Sequence, residues 1–106
     1  MPMYLWKGSY SPENLKAMIA GGGAAKRKAD MTKIVDRAGG RLESLYWAFG
    51  EHDFFAITEF PDNATAASLS MAIAGGGSSI ATVALLTAEE MDTAIASPML
   101  NPREKK

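Results

Sequence analysis

The sequence predicts an α+β domain whose elements run strand, helix, strand, strand, helix, strand. Four β-prone stretches with apolar or aromatic side chains are separated by segments whose apolar residues recur at helical spacing. Glycine, proline and asparagine clusters mark the junctions between them. The length of 106 residues allows one hydrophobic core and not two. We therefore expect a single domain.

Composition narrows the class of protein. The chain is 47% apolar and 22% charged, which is typical of a globular domain. Its net charge of −1 comes from interspersed acids and bases, which argues against a nucleic-acid or anionic-membrane partner. Cysteine is absent, so disulfides and thiolate chemistry are excluded. Lys7 interrupts any apolar signal segment, and residues 64–86 are too polar to span a membrane. We expect a cytoplasmic protein.

The first third of the chain predicts a strand and two helical segments. Residues 3–10 alternate two apolar sets, as a strand covered on both faces would. Ser11 is a suitable N-cap, and Pro12 suits the first position of a helix. The three glycines at 21–23 coincide with a phase slip in the apolar pattern, which predicts a break. A longer helix is expected from about 24 to 38.

The middle of the chain predicts a β-hairpin. Residues 41–49 alternate apolar side chains, and residues 54–60 are again rich in β-prone types. Only Gly50, Glu51, His52 and Asp53 separate the two runs. Such a short connection joins antiparallel strands.

The last part predicts a helix, a strand and a short closing helix. An alanine-rich helix follows residues 61–63 and stops at the glycines 75–77, before a strand at 80–86. Thr87 to Glu90 forms a capping-box pattern. The complete order is the ferredoxin-like βαββαβ order with a four-stranded antiparallel sheet. We expect the domain at 1–97 and a polar tail at 98–106.

Three runs in and beside the hairpin carry a family resemblance. Residues 39–42, 46–53 and 56–62 together resemble the GYD-domain family. The Gly-x-Tyr-Asp turn that names the family maps onto Gly50, His52 and Asp53, with histidine in place of tyrosine. The resemblance implies a dimeric α/β barrel, in which two four-stranded sheets pack through their open faces. It implies no established activity.

A physical argument also favours a homodimer or higher oligomer. Two main helices cover one face of a four-stranded sheet, yet the first two strands place large side chains on both faces. We expect the uncovered face to hold several aromatic residues, drawn from Tyr4, Trp6, Tyr10, Trp47 and Phe49. Pairing two such faces would bury them.

His52 and Asp53 are the candidate catalytic residues. His52 is the only histidine and lies between two carboxylates, which would favour its protonated form near neutral pH. The alternative is an exposed turn in which Asp53 binds backbone amides. Glu51, His52 and Asp53 are consecutive, so their side chains cannot converge on one ion. We therefore expect no metal and no cofactor.

Five aromatic residues are candidate ligand-binding residues. Their rings would line a cavity for a small apolar or aromatic molecule, and their hydroxyl and indole N–H groups would orient it. The alternative is that they serve core and dimer packing. The five are Tyr4, Trp6, Tyr10, Tyr46 and Trp47.

Two nucleotide-related patterns are rejected. The triple glycines at 21–23 and 75–77 follow helices and lack the phosphate-loop spacing, although residues 26–28 are basic. They are interpreted as helix ends and a hinge, and residues 26–28 as a solvated helical turn. The third strand, at 53–60, has aromatic residues, but it carries acidic residues where the strand of an RNA-recognition domain carries a basic residue. An RNA-recognition domain is therefore rejected.

The sequence thus predicts a dimeric protein that binds a small organic ligand or serves a structural or regulatory role. The alternative is a cofactor-free isomerase or monooxygenase-like enzyme on the same fold. In that case His52, Asp53 or a tyrosine would carry the proton.

Overall fold

The computed structural model describes residues 1–100, and the predicted order of elements is confirmed. Residues 101–106, the larger part of the expected polar tail, lie outside the described residues. The elements are β1 (Met3–Ser9), α1 (Pro12–Ala20), α2 (Gly23–Arg37), β2 (Arg41–Trp47), β3 (Phe54–Glu59), α3 (Asn63–Gly75), β4 (Ser79–Leu85) and α4 (Ala88–Ile95).

The four strands form one antiparallel sheet in the order β2-β3-β1-β4. In the register, Leu5 of β1 lies opposite Ile57 of β3 and Val83 of β4. A bulge interrupts the pairing of β2 with β3 between Leu42 and Ser44. This arrangement confirms the predicted α+β, ferredoxin-like fold.

The helices cover one face of the sheet, and this face contains the core. Along β1 burial alternates strictly, with Tyr4, Trp6 and Gly8 turned towards the helices. The buried apolar side chains of the core are Tyr4, Trp6, Met31, Val35, Leu45, Phe54, Ala56, Phe60 and Ala66. The prediction that the uncovered face holds several of Tyr4, Trp6, Tyr10, Trp47 and Phe49 is therefore wrong. Tyr10 and Trp47 pack against this core, and Tyr4 and Trp6 lie within it. Both are needed to fill the space under the helices.

The helix boundaries follow local capping. The Ser11 hydroxyl accepts a hydrogen bond from the Asn14 N–H at 3.1 Å, as predicted for an N-cap. Gly22 has φ +102°, a left-handed conformation that favours glycine, and here the chain passes from α1 to α2. The predicted break is confirmed. None of the helices within residues 1–100 has the length and apolarity needed to cross a bilayer.

The hairpin connection is longer than predicted. β2 ends at Trp47, so six residues, 48–53, lead to β3. The Ala48 N–H still bonds to the Asp53 carbonyl at 2.8 Å, but Phe49 beyond it is fully exposed. The Phe49 ring packs on no other part of residues 1–100, so no packing contact favours continuing β2 as far as Phe49.

The two long helices lie apart over the sheet. α2 packs mainly on β2 and α3 mainly on β4, with little contact between the two helices. The separation leaves a cleft over the central strands, which we call the α2–α3 cleft. At the end of the chain, α4 begins with the predicted capping box formed by Thr87 and Glu90. Its apolar residues Met91 and Ile95 are exposed.

Candidate ligand-binding site

His52 lies at the rim of the sheet face that the helices leave uncovered. Its ring meets the Phe55 ring edge-on, with 5.6 Å between the centroids. Phe55 alternates with the buried Phe54 and Ala56, so its side chain belongs to the uncovered face. His52 is half-buried there and is not a free turn tip.

Asp53 connects the hairpin turn to the end of β1. Its carboxylate accepts a hydrogen bond from the Tyr10 N–H at 2.8 Å, and its own N–H donates to the Gly8 carbonyl at 2.7 Å. Two elements distant in sequence are therefore joined by one residue. This geometry agrees with the interpretation of Asp53 as a turn residue that binds backbone amides.

Metal-ligating side chains do not converge within residues 1–100. No group of three or more histidine, cysteine or acidic side chains could hold an ion in this part of the chain. The carboxylates instead serve local contacts, such as the ion pair of Lys26 with Asp30 at 2.8 Å. The hydrogen bond from Lys26 is the main cause that lowers the pKa of Asp30.

The structure brings together three of the five aromatic candidates. Trp6 is fully buried, and Tyr10 lies beside it at the inner end of the α2–α3 cleft. The Trp47 indole donates a hydrogen bond to the Tyr10 hydroxyl at 2.9 Å. Tyr4 is in the same core but bonds to Asn63 at the start of α3, and Tyr46 projects from the opposite face, 71% exposed. The five therefore do not form one site.

The α2–α3 cleft has an outer and an inner part. The outer part has a volume of about 300 Å³ and is walled by α2 and α3. The inner part is about 10 Å³, room for one water molecule. Both parts share four lining residues, Arg27, Met31, Ile73 and Ser78, so they are adjacent.

One residue that lines the inner part carries an unsatisfied polar atom. The Trp6 indole nitrogen is buried and has no hydrogen-bond partner among residues 1–100. Such groups are rare in folded proteins because leaving them unpaired costs about 1–3 kcal/mol. Ser78 is also buried, and its hydroxyl oxygen accepts a bond from the Asn14 amide at 2.9 Å, so its proton remains to be donated.

Arg27 provides the positive charge of the cleft. Its guanidinium lies 5.7 Å from the centre of the Tyr10 ring, a cation–π arrangement. Tyr10 in turn packs on Phe54, with 5.3 Å between the centroids. None of the carboxylates within residues 1–100 forms an ion pair with Arg27. The Arg27 guanidinium therefore packs on the Tyr10 ring and is not paired with a carboxylate of residues 1–100.

Sequence reasoning missed Arg27 and Ser78. Arg27 was grouped with its basic neighbours as a solvated turn, although it precedes the buried Met31 by four residues and so shares a helix face with it. That spacing is a signal the sequence does contain. Ser78 follows a triple glycine and has no comparable signal, because its burial depends on contacts far along the chain.

The uncovered sheet face forms a second distinctive surface. At its centre, Ile57, Leu5 and Val83 lie side by side across three strands. We call this row with its neighbours the helix-free face; its apolar members are Met3, Leu5, Phe55, Ile57, Val83 and Leu85. At one end Arg41 pairs with Glu59 at 3.4 Å. No element within residues 1–100 lies over this face.

The hairpin, the sheet order and the flanking helices can now be compared with known families. The model of the GYD domain matches residues 4–95, which covers every strand and helix described above except the first residue of β1. The chain belongs to the GYD domain family. Comparison of this GYD-domain protein with curated proteins and with solved structures gives no further match.

Proposed function

We propose that this GYD-domain protein binds a small organic molecule in the α2–α3 cleft. The observation that carries the proposal is that Trp6, which lines the inner part of the cleft, has a buried indole N–H with no partner among residues 1–100. A ligand that accepts a hydrogen bond there would remove the cost of leaving this donor unpaired. Small-molecule sites combine apolar walls with a few convergent polar groups in the same way.

The size of the cleft limits the ligand. The outer volume of about 300 Å³ is at the lower end of the range of ligand sites. The walls are contributed by apolar side chains such as Met31, Ile34, Leu69 and Ile73. We therefore expect a molecule with a single ring or a short chain, inserted with its polar end towards Trp6.

The alternative function, a cofactor-free isomerase or monooxygenase-like enzyme, receives less support from the geometry. His52 contacts Phe55 on the other side of the sheet and does not line the α2–α3 cleft. The Asp53 carboxylate accepts a bond from the Tyr10 backbone. Of the proposed proton carriers, only the Tyr10 hydroxyl lies by the cleft, and it already accepts a bond from Trp47.

Native mass spectrometry of protein purified gently from its own source tests ligand binding. A reproducible bound mass is expected, and it should disappear in Ala72→Phe, which places a ring at the cleft wall. Met71→Phe is the matched control, because Met71 is adjacent on α3 and 69% exposed but does not line the cleft. Equal retention of the adduct by both variants would reject the cleft as its site.

We further propose that the protein forms a homodimer through its helix-free face. An apolar row across β3, β1 and β4, with no element of residues 1–100 packed on it, favours burial against a second copy. The charged pair of Arg41 and Glu59 at one end would lie at the rim, where water can reach it. Such pairing would bring two copies of His52 to the edges of the interface.

Light scattering coupled to gel filtration tests the dimer. Leu5→Glu and Val83→Glu, tested separately, should each convert the dimer to a monomer, because a charge would be buried between the sheets. Ile19→Glu is the control, since Ile19 is an exposed apolar residue of α1, 72% accessible and remote from the sheet. Circular dichroism verifies that each variant is folded. A folded dimer in both sheet variants would refute the proposal.

A further inference from the structure

We propose that the ligand of the α2–α3 cleft is a small carboxylic acid, bound as its carboxylate. This inference rests on the proposed ligand binding and adds the chemical class of the ligand. It follows from a count of donors and acceptors at the inner end, from the charge of Arg27, and from the apolar walls. Each of these is a separate property of the described residues.

The side-chain groups at the inner end are hydrogen-bond donors. The Trp6 indole N–H has no partner among residues 1–100 and can only donate. The hydroxyl oxygens of Ser78 and Tyr10 already accept bonds, from Asn14 and Trp47, so each retains its proton for donation. A ligand group that fits this set must offer several acceptor lone pairs. A carboxylate offers about four and donates none.

Arg27 favours a charged acceptor over a neutral one. It lines both the inner and the outer part of the cleft, is half-buried, and forms no ion pair with a carboxylate within residues 1–100. Its neighbour Lys26 differs, because Lys26 is paired with Asp30 on the exposed side of the helix. A guanidinium can bind both oxygens of a carboxylate, and such charge-assisted bonds are stronger than neutral ones.

The remaining walls of the cleft favour an apolar group on the acid. Met31, Leu45, Phe54 and Ile73 offer hydrocarbon and ring surface around the donors. The inner space of about 10 Å³ has room for one water-sized atom, so it cannot hold a ring without movement of these side chains. One carboxylate oxygen would therefore enter the inner part, and the other oxygen and the apolar body would occupy the outer part of about 300 Å³.

The two indole N–H groups of the chain report directly on the site. We would titrate the ¹⁵N-labelled protein with benzoate, cyclohexanecarboxylate and hexanoate, and with the matching amides. The two tryptophan side-chain N–H signals monitor binding in the NMR spectrum. We expect at least one acid to move the Trp6 signal downfield. The concentration of acid needed should be about tenfold or more lower than the concentration of its amide that gives the same shift. Trp6→Phe assigns the signal, because Trp47 is then the only tryptophan in the sequence.

Substitution of Arg27 completes the test. Arg27→Met should weaken the binding of the acid about tenfold or more, while Lys28→Met, its exposed neighbour, should leave it unchanged. Equal binding of acids and amides, or an unchanged affinity in Arg27→Met, would overturn the carboxylate while leaving ligand binding intact. If no compound moves the Trp6 signal in the wild-type protein, ligand binding in the cleft fails as well.

Discussion

The Asp53 carboxylate accepts a hydrogen bond from the backbone N–H of Tyr10 at 2.8 Å. This bond connects the last residue of the hairpin turn to the residue that follows β1. The bond fixes the point from which the Tyr10 side chain reaches both Trp47 and Arg27. The hairpin turn therefore supports one wall of the cleft in this protein. His52 of the same turn contacts the other side of the sheet.

Loss of the Asp53 carboxylate should destabilise the fold. We expect Asp53→Ala to lower the free energy of unfolding by about 1–3 kcal/mol, because the Tyr10 N–H loses its partner. Asp53→Asn should cost less, since its amide oxygen can still accept the bond. Urea unfolding measures both, with Glu51→Ala as the exposed neighbouring control. Equal costs for Asp53→Ala and Glu51→Ala would contradict the role of this bond.

Gly8 leaves room for the Phe54 ring. A Cβ atom at Gly8 would lie 2.0 Å from the Phe54 Cζ, so the ring would have to move within the core. We expect Gly8→Ala to destabilise the protein by about 1–3 kcal/mol, as overpacking commonly does. Gly50→Ala is the control, because nothing lies within 4 Å of a Cβ at Gly50. Thermal unfolding of the two variants should therefore differ clearly.

His52 should contribute little to stability. Its half-buried ring makes one edge-on contact with Phe55, so His52→Ala should cost about 0.5 kcal/mol. The contact is measured by a double-mutant cycle with Phe55→Leu, in which the two effects should not be additive. A loss of several kcal/mol in the free energy of unfolding for His52→Ala would contradict the placement of His52 at the edge of the sheet face.

Asp62 should make stability depend on pH in the acid range. Hydrogen bonds from Thr65, the backbone N–H first, lower the pKa of Asp62 below its ordinary value of 3.8. Because the folded pKa is the lower one, the stabilisation is present above pH 3.8 and is lost as pH falls through the folded pKa.

Asp62→Asn tests this dependence, since asparagine caps helices well but carries no charge. At pH 7 the wild-type protein should have the higher urea midpoint. The difference should shrink as the pH falls below 3.8. A difference that stays constant down to acid pH would show that the charge of Asp62 contributes nothing to the capping of α3.

The boundaries of the helices could be predicted from the sequence because their causes are local. Ser11 and Thr87 cap their helices by accepting hydrogen bonds from the backbone N–H groups of Asn14 and Glu90, each three residues further on. Gly22 breaks the first helical stretch through its own backbone conformation. None of these features needs a distant contact, so the residue types and their spacing were sufficient.

The face that each strand buries was decided by tertiary packing. Alternation in β1 separates Tyr4 and Trp6 from Leu5, but a period of two does not say which set the helices cover. α2 and α3 need the larger side chains beneath them, and so the aromatic residues became core. From β1 the helix-free face therefore received Met3, Leu5 and Lys7.

The cleft itself depends entirely on contacts between distant segments. The sequence alone determined the order of the elements, the capped ends of the helices and the family resemblance, because these depend on neighbouring residues. Only the tertiary structure placed Arg27 of α2, Ser78 before β4 and Trp6 of β1 around one space. The spacing between α2 and α3 depends on how each helix packs on the sheet, and no local pattern encodes that distance.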